Sequence, residues 1–117
     1  MTLTVLVTGG RSFLDAAVVY SALTNLHTAH GVALLVEGGA RGADRLARQW
    51  AIDSGVPFRT FEADWVRHGK AAGSKRNGVM LSVSRPDIVV AFPGGTGTAD
   101  MVRRALRAGV HVWPVGP

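Results

Sequence analysis

The stretch Asp87–Asp100, DIVVAFPGGTGTAD, decides how this chain is read. Ile88 to Phe92 is an unbroken apolar run that stops at Pro93. A short run of this kind, rich in β-branched residues and bounded by turn formers, is a strand covered on both faces. Gly94, Gly95 and Gly97 follow, separated only by Thr96, and a helical pattern runs from about Thr98 to Ala108. Val102, Ala105 and Leu106 are expected on its buried side, and Gly109 ends it. Glycines let the backbone approach a ligand closely. The first turn of a helix offers unbonded N–H groups and the positive end of the helix dipole. The stretch therefore predicts a phosphate-bearing small molecule held where strand turns to helix.

Outward from that stretch, the same grammar repeats. Thr4–Val7 reads as a first strand, followed by Thr8-Gly9-Gly10-Arg11-Ser12 and a helix over about Leu14–Leu26, capped by Ser12 or Asp15. Val32–Val36 is a second strand, followed by Gly38-Gly39-Ala40-Arg41-Gly42 and a helix over about Ala43–Asp53. Ala43, Leu46, Ala47, Trp50 and Ala51 share one face of that helix, and Asp44 and Arg48 stand at pairing distance, i and i+4, on another. Pro57–Ala63 is more polar, as expected of an edge strand. A long connection from Asp64 leads to a third helix from about Gly73, which finishes near Ser84 because Pro86 follows. Val110–Val115 is the last strand, and its Pro114 confines it to an edge.

Strands alternating with helices imply a parallel sheet with right-handed crossovers. Placing the two richest strands centrally gives the order 3-2-1-4-5. The expected fold is thus α/β: one Rossmann-like three-layer domain over residues 1–117, a five-stranded parallel sheet with helices on both faces. Ligands of such sheets bind beyond the carboxyl ends of the strands, at the crevice where the strand order reverses. The glycine-rich turns after strands one, two and four all belong to that edge.

Composition narrows the function. The apolar fraction of 47% excludes general disorder, and no apolar run is long enough to span a bilayer. No signal peptide is visible, and the chain has no cysteine, hence no disulfide and no thiolate metal site; a cytoplasmic location is the expectation. The net charge is +5, carried by eleven arginines and two lysines that are scattered rather than clustered. Arginine's planar fork suits phosphate and carboxylate groups. There is no GxGxxG fingerprint and no GK[ST] triplet, so neither a dinucleotide nor a hydrolysed triphosphate is indicated. No metal cluster and no Ser–His–Asp arrangement is readable.

Among single residues, Arg76 stands out. It shares a helical stripe with Val79, Met80 and Val83, an apolar setting in which a charge needs a partner. That partner is either a ligand anion held bidentately or an internal carboxylate such as Asp64 or Asp100. Asn77 beside it serves the ligand or the local backbone. Gly38 and Gly39 form a second backbone cradle with Arg41 in reach of an anion, and Asp44 is then a carboxylate at a helix start, structural or catalytic. Arg11 faces ligand or solvent. Trp65 and His68 either stack on a base or cover the core.

The paired motifs Arg76-Asn77-Gly78-Val79-Met80 and Pro93–Met101 resemble the RKxxM and PGGxGTxxE segments of LOG-type, "lysine decarboxylase-like" phosphoribohydrolases. These belong to the SLOG superfamily, with the DNA-processing protein DprA. TGGR at Thr8–Arg11, GGARGAD at Gly38–Asp44, ADW at Ala63–Trp65 and AGSKRN at Ala72–Asn77 are most similar to its small bacterial and phage YspA/cpYpsA-related branch. The resemblance implies a nucleotide site built from Gly9, Gly10, Arg11, Gly38, Gly39, Arg41, Arg76, Asn77 and Gly94–Thr98, with no cofactor. In LOG enzymes the catalytic pair is the arginine of the first motif and the final glutamate of the second. Here these positions are Arg76 and Met101, and a thioether is no acid or base.

Three functions follow as expectations. The first is binding or sensing of a nucleotide. The second is N-glycosidic hydrolysis of a nucleoside monophosphate, with Arg76 and Asp100 as its residues. The third is DprA-like binding of single-stranded DNA, against which stands the lack of aromatics interleaved with the arginines. Helix faces bearing Arg103 and Arg107 allow a homodimer like those of LOG proteins.

Overall fold

A computed structural model describes residues 2–116. Five parallel strands form one sheet in the order β3-β2-β1-β4-β5, as the apolar runs predict. In chain order the elements are β1 (Leu3–Thr8), α1 (Ala16–His30), β2 (Val32–Glu37), α2 (Ala43–Ser54), β3 (Phe58–Thr60), α3 (Trp65–His68), α4 (Ala72–Ser84), β4 (Ile88–Ala91), α5 (Thr96–Arg107) and β5 (His111–Pro114). Side chains alternate along the strands, so one strand feeds two cores. Val5, Val7, Ile88 and Val90 pack with α1 and α2 on one face. Leu6, Val36 and Val89 pack with Met80 of α4 and Met101 and Ala105 of α5 on the other. Three layers result.

Several local expectations are corrected. Asp15 caps α1 by accepting from the Val18 N–H, and the helix runs on to His30 because Gly31, at φ 79°, is the first residue able to turn it. The Asp64–Ala71 connection is helical rather than loose, since Asp64 caps α3 and a 3-10 turn joins it to α4. On α5, Leu106 is exposed and Met101 takes its expected place in the core. On α4, Val79 and Val83 are exposed, so Met80 alone of that stripe is buried. The helix presents Asn77 to the interior instead.

The carboxyl ends of β1, β2 and β4 bring three glycine-rich turns together, with Gly10 at the junction. Its N–H donates to Pro93 O at 2.8 Å, and its carbonyl accepts from Ala43 N at 3.2 Å. Gly42, at φ 79°, leaves no room for a Cβ beside the Gly10 carbonyl and the Arg11 backbone. Only glycine satisfies both demands.

Candidate functional site

The turn after β4 opens into α5 with no side chain capping the helix. Gly95 and Gly97 have open space where a side chain would stand, beside a helix start that carries no side-chain cap. Gly94 differs, because a Cβ on it would strike Thr98 Oγ1 and the Gly10 amide nitrogen. It fastens the turn to its neighbour and does not line the space beyond.

That space is a crevice of about 620 Å³, within the usual range for small-molecule sites. Gly9, Gly10 and Arg11 form one side, Gly95–Thr98 the end, and Arg76, Asn77 and Asp100 the opposite side. The expected residues of three separate segments are thus brought together. Trp65, 47% exposed, lies over the rim with the Arg11 guanidinium 5.0 Å from its ring centre, a cation–π pair. His68 does not line the crevice but a small cleft with Glu62 and Lys75.

Arg76 lines the crevice and pairs with neither internal carboxylate considered for it. Its Nε donates to Asn77 Oδ1 at 3.0 Å, and its Nη1 donates to the carbonyls of Gly38 and Phe61. Two of the three guanidinium nitrogens are engaged inside the protein, Nε by the Asn77 side chain and Nη1 by backbone. Nη2 remains for a ligand. Burial draws the guanidinium's pKa down, with Asp44 and Glu37 opposing and Arg11 adding to the shift. Asn77, 4% exposed, completes the bracket: its Nδ2 donates to Gly97 O at 3.2 Å and to Asp100 Oδ2 at 3.0 Å. Asn77 thereby fixes the start of α5 against α4.

Asp100 is a crevice carboxylate held by several donors. Burial pushes its pKa up, but hydrogen bonds from Asn77, Arg104 and Ser74 outweigh that and leave it below the usual carboxylate range. Met101, one position on, is fully buried against the sheet. The position of the LOG glutamate therefore faces the core in this chain, and the acidic group of α5 that reaches the crevice is Asp100.

The turn after β2 is arranged differently. Gly38, Gly39 and Arg41 are not among the residues that line the crevice, and the amides of Gly38, Gly39 and Ala40 are already taken. Asp44 Oδ2 accepts from Gly38 N and Ala40 N, both at 3.2 Å, and Glu37 Oε1 accepts from Gly39 N at 2.6 Å. Arg48, expected to pair with Asp44, instead meets the buried Glu37 at 3.3 Å, where Thr60 Oγ1 also donates. Lys70, Ser74 and Arg103 line the crevice too, although no motif in the sequence assigns them to it. Lys70 and Ser74 sit on a connection and helix start whose path only the fold shows. Arg103 is three residues beyond Asp100 on α5, a spacing that could have found it.

The match to a family model covers residues 3–68, from β1 through α3, and that model is the YspA, cpYpsA-related SLOG family. This chain belongs to that family. The gene 61 protein of Mycobacterium phage D29 is 40% identical over 116 residues, 92% of each chain. The X-ray structure of TM1055, a structural genomics target, is similar in fold, with a TM-score of 0.74 and 21% identity over 93% of this chain and 71% of that one. The SLOG match contains the first two glycine-rich turns and Trp65, and the crevice is completed by segments beyond it. Among the described residues, no helix is long and apolar enough to cross a membrane.

Proposed function

We propose that the crevice binds a nucleotide, with its phosphate on the first turn of α5 and its base along the Arg11–Trp65 rim. One observation carries this reading: the uncapped start of α5 opens into a crevice lined by four cations, Arg11, Lys70, Arg76 and Arg103, and only two carboxylates, Asp44 and Asp100. Oriented amides and nearby guanidinium groups stabilise phosphate oxygens without needing metal. An aromatic surface backed by an arginine suits a planar base.

The role is binding or sensing. A hydrolytic reading has one observation in its favour, an ionised Asp100 on the crevice wall that would steady positive charge developing on a ribose. Its hydrogen bonds to Asn77, Arg104 and Ser74 already occupy that carboxylate, which favours a scaffold role. Titration of the protein with nucleoside 5′-monophosphates in a calorimeter, followed by chromatography for released base, separates the two. Saturable binding with no free base is expected. Free base formed by wild type and absent from Asp100→Asn would replace sensing with hydrolysis, and no binding of any nucleotide would end both.

A further inference from the structure

Asp44 is explained neither by the phosphate site nor by the core. It is 5% exposed, at the start of α2, and it lines the crevice. Its Oδ2 is fixed by the amides of Gly38 and Ala40. No protein donor among the described residues bonds to Oδ1. Among the described residues every fully buried side-chain oxygen or nitrogen has a partner, so Oδ1 is the atom left open towards the crevice. A carboxylate with one oxygen clamped and the other presented is a rigid, single-point hydrogen-bond acceptor.

We propose that Asp44 is a specificity residue that accepts a hydrogen bond from a sugar hydroxyl of the ligand, the 2′-OH of a ribose. The assignment rests on the nucleotide reading above and deepens it. A phosphate avoids this carboxylate and goes to the amides and cations of α5. The planar base is matched by the rim, where Arg11 and Trp65 are exposed. Asp44 is buried below them, so the part of a nucleotide left for it is the sugar between base and phosphate. Helix capping alone does not account for the residue, because neutral asparagine would accept the same two amide bonds. The charged groups that act on it are Glu37 at the end of β2 and Arg76 on α4. Burial raises the carboxyl's pKa to about 6, with Glu37 adding and the two amides and Arg76 opposing, so the charged acceptor form is present at neutral pH.

The test compares each ribonucleoside 5′-monophosphate with its 2′-deoxy counterpart, and with inorganic phosphate, by calorimetry at pH 7.5 (roughly a unit or more above the Asp44 titration). Wild type is expected to favour the ribonucleotides by about 10-fold or more, the span of one charge-assisted hydrogen bond. Asp44→Asn, which keeps the two amide bonds, is expected to cut that preference several-fold, and Asp44→Ala to abolish it. Phosphate affinity should not fall in either variant. An unchanged ribo-to-deoxy ratio in Asp44→Asn, or no preference in wild type that still binds nucleotides, overturns this inference and leaves the nucleotide reading standing. Failure of wild type to bind any nucleotide overturns both.

Discussion

The turns after β2 and β4 start alike, Gly38-Gly39 and Gly94-Gly95, and end differently. After β2, the protein's own carboxylates fill the cradle, with Asp44 reaching back from the helix and Glu37 forward from the strand. After β4, the nearest carboxylate is Asp100, which is turned aside by Asn77, Ser74 and Arg104. The amides of the second turn stay open. A glycine-rich turn is available to a ligand only where no internal anion occupies it first. The difference also separates two uses of arginine, because Arg48 neutralises the buried Glu37 while Arg76 ties the filled turn to the open crevice through the Gly38 carbonyl.

The strongest challenge to this contrast is to restore the LOG glutamate. Met101→Glu is expected to destabilise the fold by roughly 3–5 kcal/mol, since its charge would be buried without a partner, and to produce no hydrolysis. Urea unfolding with an assay for free base checks it. A stable, hydrolytic variant would show that position 101 can face the crevice.

Gly42→Ala comes next. The methyl group meets the backbone of Gly10 and Arg11 at a positive φ, so a loss of about 3 kcal/mol is expected by thermal unfolding. Near-wild-type stability would mean that the junction of the three turns is loose.

Asp44→Asn should act in the opposite direction. The carboxyl's pKa stands at about 6 in the folded chain against an ordinary 3.8, so folding retains a proton there that the unfolded chain has lost. The penalty is absent below about pH 4, grows as pH rises towards 6, and is complete above it. Asp44→Asn is therefore expected to be more stable by up to about 3 kcal/mol at pH 8 and equal to wild type near pH 3.5. A pH-independent difference would show that the filled turn holds its carboxylate without strain.

Smallest in stability is Gly95→Ala. Its methyl meets open space, so stability should stay within about 0.5 kcal/mol of wild type. Nucleotide and phosphate affinity should nonetheless fall several-fold, because the methyl would shield the amides of the open turn. Unchanged affinity would place the phosphate elsewhere.

The sequence by itself determined the order of elements, the strand order and the edge on which the glycine-rich turns collect. These follow from local signals: apolar runs, helical spacing, and the glycines and prolines that punctuate them. Ten expected site residues from the turns after β1 and β4, from α4 and from α5 do meet in one crevice, because the topology leaves those segments no other place. Tertiary structure alone decided which turn is open, that Arg76 serves backbone carbonyls, and that Asp44 and not Asp100 has an oxygen to spare. Those outcomes depend on competition between donors and acceptors far apart in the chain, as with Arg76 and Gly38, 38 residues away. A local pattern carries no record of which competitor is nearest, and only the folded geometry settles it.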